Sequence, residues 1–300
     1  MSRSVLKATA IQSAGALLAA LLGVAVFATA AAADPIFAPG EPIVTGFSGV
    51  VEPSAPPSGT DPLDLTFIDP DGKSLVIQQL EPDAPPSGQL IDAPAAFSAT
   101  AADIGQVFGV TLDDAPDAMG ADAPNIYVAA TSAYGLNLVV PGPDGTPVRS
   151  RVGAADASFM PGQWGSAGGE EGHPGSIWKI DGSSGEISLF TTIANSGAGL
   201  GTIVYDPASA QFFVSDLDTG LIYRLAHDGT IVDTYDHGLT GRPTHGLDPV
   251  ADDGSAVDIT DPAFDTEDPA TWGVTQPERK VYGLAMRNGR LYYAVAEGPS

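Results

Sequence analysis

Apolar and polar positions alternate along this chain in short runs, each closed by Gly, Pro, Asp or Ser. That period of two is the pattern of half-buried β-strands. The runs come in pairs. Residues 106–112 precede 125–131, 201–206 precede 211–216, and 280–286 precede 290–295. A second kind of pair follows the first. Residues 176–181 lead through a Gly turn to 186–190, and 221–225 lead through Asp228-Gly229 to 230–235. Residues 63–80 have the same form, two β-rich runs around Pro70-Asp71-Gly72, and are expected to make a hairpin. No stretch after residue 33 sustains an apolar 3.6-residue period over four turns, so long helices are not expected.

Put together, each unit reads as four strands in the order a-b-c-d. The b strand carries an aromatic (Tyr127, Phe213, Tyr292), and the c strand carries Ile-Trp or Ile-Tyr before a basic residue (Lys179, Arg224). Tandem four-stranded units with aromatic landmarks are the sequence form of β-propeller blades; the alternative is one antiparallel sandwich with chance similarity. The expected fold class is therefore all-β: a β-propeller of four-stranded antiparallel blades with long loop insertions. It is incomplete in this chain, with about three blades' worth of strands where propellers usually have 4–8. Blades fall at 106–193 and 201–236, with an incomplete one at 280–300. The 63–80 hairpin is expected to supply c and d strands that close the ring, and the count implies a piece of a longer protein.

The words Tyr205-Asp-Pro, Gln211-Phe-Phe-Val-Ser-Asp, Gly220-Leu-Ile-Tyr-Arg-Leu and Asp228-Gly-Thr resemble blades of NHL-like and SMP-30/gluconolactonase-like six-bladed propellers. The resemblance spans roughly residues 103–300 and the early hairpin. It implies architecture, since these words are structural. Glu297-Gly-Pro looks like the Glu-Gly-Pro that carries a metal-binding Glu in the SMP-30 family. Here it follows the third b strand and lacks the family's partner Asn and Asp positions, so it reads as a b–c loop.

Composition sharpens this picture. The chain of 300 residues has 37 acidic and 12 basic side chains, a net charge of −25, and no Cys. Absence of Cys excludes disulfide scaffolds, cysteine-ligated metal centres and thiol catalysis. The negative charge argues against nucleic acid or an anionic membrane surface as partner. The acids divide into 28 Asp and 9 Glu, and Asp is a turn and cap residue. Three readings of that excess stand side by side: turn chemistry, adaptation to salt, and calcium binding.

Residues 1–33 carry Arg3 and Lys7, then an apolar core over 17–27, then Ala31-Ala32-Ala33 before Asp34. This is the layout of a secretory signal peptide. An uncleaved anchor is the alternative, since 8–33 are uncharged, but the small residues before acidic Asp34 favour cleavage. Removing 1–33 deletes two basic residues and no acidic one, leaving −27. The expected location is periplasmic or extracellular, with no membrane span after cleavage. Residues 34–62 and 81–103 are Pro-, Ala- and Ser-rich and repeat the phrase Glu-Pro-x-Ala-Pro-Pro-Ser-Gly. They are expected to be connectors, not strands.

Function is expected on two insertions, 134–175 and 237–278. The first holds Glu170 and His173, the second Arg242, His245 and Asp248; these are the candidate binding residues. Asp216 and Asp218 are candidate metal ligands, with calcium the ion, although Asp216-Leu-Asp218 also reads as turn chemistry. Spacings match no zinc motif, and Asp69-Pro-Asp71-Gly72 and Asp252-Asp253-Gly254 fail the EF-hand loop. No nucleophile elbow, phosphate loop or dinucleotide fingerprint is present. Three functions remain open. One is an exported binding module for a protein, glycan or small molecule. The second is a calcium-dependent lactonase- or esterase-like hydrolase of the SMP-30 type. The third is a structural module of a longer surface protein.

Overall fold

The computed structural model describes residues 35–52, 54, 58–59, 61–79, 94–114 and 123–295. The chain is all-β, built from small antiparallel sheets with a few short helical turns. The signal peptide expected over 1–33 and the Glu297 loop lie outside the described residues.

The first sheet joins β1 (Ile43–Thr45), β4 (Lys73–Gln78) and β5 (Ala95–Thr100) in the order β1-β4-β5. Beside it β2 (Val50–Val51) pairs with β3 (Phe67–Ile68). This corrects two expectations. The 63–80 segment does not close as its own hairpin, because β3 pairs with β2 while β4 is flanked by β1 and β5. The turn at Asp69–Gly72 separates two halves of one interrupted ladder against residues 43–51. Both Pro-rich segments also contribute strands. Apolar residues of these strands, Ile43 in β1 and Phe97 and Ala99 in β5, reach an apolar cluster, and that burial outweighs the prolines nearby. The segment 73–78 is thus the centre of a sheet at the start of the chain and supplies no c and d strands to a last blade. A capping box on Thr100 and Asp103 then starts the four-residue helix α1 (Ala101–Ile104).

Next come β6 (Val107–Leu112) and β7 (Ile126–Ala130). The first insertion follows, folded around β8 (Leu138–Pro141), β9 (Pro147–Ser150) and β10 (Ser158–Phe159). The chain returns as β11 (Ser176–Ile180) and β12 (Ile187–Thr192), completing a sheet ordered β6-β7-β11-β12. The third sheet is β13 (Leu200–Asp206), β14 (Gln211–Asp216), β15 (Ile222–Ala226) and β16 (Ile231–Tyr235), in that order. Last, β17 (Val281–Arg287) pairs with β18 (Arg290–Val295). Both four-stranded sheets therefore follow the a-b-c-d plan that the pattern predicts.

The second sheet is buried on both faces, which is why β7 has no exposed residue. Ile126, Val128, Trp178 and Ile180 face Leu75, Ile77 and Ala99 of the first sheet. Tyr127, Ala129 and Ile177 face Leu200, Tyr205, Phe212 and Val214 of the third. Strand alternation sends neighbouring residues to opposite cores. The opening strands of the sheets also meet in succession: β1 lies against β6, β6 against β13, and β13 against β17. Glycine permits the approach. A Cβ on Gly109 would stand 2.7 Å from Thr202 Cα, and one on Gly201 2.7 Å from Val281 O. In an antiparallel meander, b–c and d–a connections leave from the same end of the sheet. Both long insertions therefore rise from one end of the molecule.

Candidate functional site

The two insertions fold onto each other. Leu136, Leu138 and Trp164 of the first share an apolar cluster with Val257, Phe264 and Trp272 of the second and with Ala130 at the end of β7. Backbone bonds stitch them together: Gly153 N–H donates to Phe264 O, Ala154 N–H to Ile259 O, and Thr266 N–H to Arg151 O. The Arg151 guanidinium reaches Asp61 (2.7 Å), Asp64 (2.8 Å) and Glu267 (3.6 Å), drawing in the segment before β3. These pairs are partly exposed and steer geometry more than stability. The platform is fixed to the sheets from below: Trp178 Nε1–H donates to Trp164 O at 3.1 Å. Gln163 Oε1 accepts from Asn137 N–H, while its Nε2 donates to Thr131 O and Gly135 O.

Against this platform lies an open groove of about 810 Å³. Its apolar wall includes Phe159, Met160, Trp164 and Ile259, with Phe159 and Trp164 edge to face at 5.2 Å. Glu170, Glu171 and His173 line it with exposed side chains. The His173 backbone is tied down, its N–H donating to Ser176 Oγ at 2.8 Å. Among the described residues the buried Trp164 Nε1–H has no hydrogen-bond partner. The structure thus brings Glu170 and His173 into one concave surface, of the size that small ligands occupy.

Arg242, His245 and Asp248 do not join them. Arg242 is buried, and its Nε–H donates to the Asp248 backbone carbonyl at 2.8 Å, folding its own loop. The side chains of His245 and Asp248 are exposed. Beside this loop the buried Arg279 organises the approach to β17. It donates to Thr219 O (3.0 Å), Val250 O (2.6 Å) and Asp236 Oδ1 (2.9 Å), while its own carbonyl bonds His237 Nε2 at 2.7 Å. Burial holds the His237 imidazole below the usual histidine range.

Asp216 and Asp218 are buried, and their carboxylates are occupied by protein donors. Asp216 accepts from Asn195 Nδ2 (2.6 Å), Asp218 N–H, Thr219 N–H and Thr219 Oγ1 (2.6 Å). Asp218 accepts from Ser196 N–H (2.6 Å) and Ser196 Oγ (2.8 Å), and Ser196 Oγ accepts in turn from Val257 N–H. This chain anchors the second insertion to the turn between β14 and β15. Burial pushes the Asp216 carboxyl up to about 6, against the opposing effect of its donors. Among the described residues no three acidic or histidine side chains come together as a metal-ligand set. Asp216 and Asp218 therefore assemble no calcium site among the described residues.

The aspartate excess has a direct use here. Asp61, Asp69, Asp144, Asp181, Asp206, Asp216, Asp228, Asp253, Asp258, Asp261, Asp265 and Asp268 each accept a bond from the backbone N–H two residues on. That is the Asx turn.

Sequence reasoning missed a polar cluster at the opposite end of the sheets. The buried Asp113 carboxylate accepts from Asn125 N–H (2.7 Å), Asn125 Nδ2 (2.9 Å) and Tyr127 OH (3.0 Å), and His227 Nε2 stands 3.5 Å away. His227 packs against Tyr205 and Phe212. Burial, and next the Asp113 charge, push the Tyr127 hydroxyl above the usual tyrosine range. The arrangement ties β6 to β7 and closes the edge of the core. The only advance signal was an Asp at the end of an a strand.

No family model matches the chain, and neither a curated protein nor a solved structure is found to be similar to it. Among the described residues no helix is long and apolar enough to cross a membrane.

Proposed function

We propose that this protein is an exported, propeller-type binding module that takes its ligand in the groove of the insertion platform. The observation that carries the reading is the shared apolar core of the two insertions. Long loops that merely connect do not bury two tryptophans and a phenylalanine together; loops that must hold a surface in shape do. The succession of sheets, each opening strand against the next, supports the propeller plan of NHL-like and SMP-30-like proteins. The basic-then-apolar opening of the chain supports export.

The groove's chemistry selects its ligand. Glu170 and Glu171 stand beside an aromatic and aliphatic wall. Carboxylates repel anions and accept hydrogen bonds from hydroxyl or ammonium groups, while the aromatic wall suits a sugar ring or an apolar side chain. A neutral oligosaccharide or a basic peptide meets both demands.

The test is a thermal-shift and calorimetric survey of the intact chain against neutral oligosaccharides, basic peptides and acidic peptides. A ligand that binds only the folded state raises the midpoint. Binding by one of the first two classes, lost in the Glu170→Gln/Glu171→Gln double variant, supports the reading. Exclusive binding of acidic peptides, or no binding by any class, overturns it.

A further inference from the structure

A second cavity opens at the same end of the molecule, and its chemistry is opposite to that of the groove. It holds about 360 Å³ where the ends of three sheets converge beneath the second insertion. Ala198 comes from the turn before β13, Leu217 from the end of β14, and Lys280 and Tyr282 from the start of β17. Thr266 and Trp272 reach over from the insertion. The Trp272 indole is fixed by its Nε1–H, which donates to Asp265 O at 2.8 Å.

Lys280 is the unusual member. In a chain with 37 acidic side chains, this half-buried residue makes no side-chain ion pair or hydrogen bond with any described residue. Burial lowers its affinity for a proton. An unpaired charge in a largely apolar site is costly to maintain, and the usual remedy is a counter-charge. The Thr266 hydroxyl on the same wall is also buried without a partner among the described residues.

We infer that this cavity binds a small hydrophobic monocarboxylate, its carboxylate on Lys280 and its body against Trp272 and Leu217. The class follows from the walls. One cation calls for one negative charge, and 360 Å³ lies at the low end of small-molecule sites. A multiply charged phosphate would leave charge facing apolar surface. A neutral body alone would leave the ammonium unpaired. The ion pair forms in a half-buried site, where a charge-assisted bond counts for more than at the open surface. The ligand would bridge β17 to the second insertion, so that occupancy stiffens the platform that carries the groove.

The experiment uses the full chain and four probes: hexanoate, phenylacetate, and their neutral amides. Titration by calorimetry and ligand-observed NMR at neutral pH is expected to show saturable binding of both acids and at least tenfold weaker binding of both amides. Lys280→Met is expected to abolish the preference for acid over amide, and Lys280→Arg to keep part of it. Equal binding of acid and amide by the wild type, absence of saturable binding, or a preference that survives Lys280→Met overturns the inference. The acid–amide contrast on the wild type decides the question even if Lys280→Met fails to fold. Glu170→Gln/Glu171→Gln leaves acid binding unchanged, so failure of this site and failure of the groove are separable.

Discussion

The stacked sheets and the insertion platform are held together by different means. In the sheets, every second residue of a strand enters one core and the residue between enters the next, so β7 and β11 are buried from both sides. In the platform, a few large side chains gather from distant segments, and Asx turns and the Arg151 ion pairs hold the loops between them. A periodic scaffold tolerates the loss of one contact poorly, because each residue serves a continuous core. A platform of loops fails locally and leaves the sheets standing.

Four measurements sharpen or break that contrast. The largest effect belongs to Trp178→Ala, which empties a fully buried site and removes the bond to Trp164 O. Denaturant unfolding is expected to show a loss of about 4 kcal/mol shared by the whole chain. A loss confined to the platform would mean that the two regions are not coupled through Trp178.

Asp216 comes next, because it sits where the regions meet. Its folded-state value of about 6 lies above the unfolded value of 3.8, so the folded chain holds a proton there that the unfolded chain releases. Stability from this group is complete below about pH 4 and lost as pH rises through 6. Asp216→Asn keeps the neutral form at every pH. The wild type should therefore gain on that variant by about 2.4 kcal/mol between pH 7 and pH 4. The buried His237 acts with the opposite sign, since its lowered value removes stability as pH falls below 6.5. It is present in both proteins and cancels in the difference. A flat difference across that range would show that the donors around Asp216 outweigh its burial.

Val257→Ala trims the platform core alone and should cost about 2 kcal/mol. Hydrogen exchange is the proper readout: protection should fall at the Gly153, Ala154 and Thr266 amides while those of β7 and β11 keep theirs. Equal loss in both places would erase the distinction between the regions. The smallest effect is that of Arg151→Ala. Its partners are about half exposed, and any change in melting temperature should vanish in high salt.

How far each region could be read in advance follows from the same difference. The strand pairs over 106–131, 176–190, 201–235 and 280–295 were visible because alternation and turn residues are local properties. The first sheet was hidden by its prolines and alanines: β1 beside Pro42 and the Ala-rich β5 look like linker until the cores they fill are known. Glu170 and His173 line one groove because they are close in sequence on one loop. Asp216 and Asp218 carried ligand chemistry in their type alone, and only their donors reveal them as anchors. Lys280 carried no signal, because a single lysine before a strand acquires meaning only from the cavity it lines and the absence of an acidic partner among the described residues.

The sequence by itself determined the strands of the two four-stranded sheets, their order within each, and the positions of the two insertions. These depend on residue type and spacing over a few positions. Tertiary structure alone decided that the insertions share one core, that the early segment makes its own sheet, and that Lys280, with no ion pair among the described residues, lines a cavity. These depend on which distant surfaces meet, and burial against a particular partner is a property that no local pattern encodes.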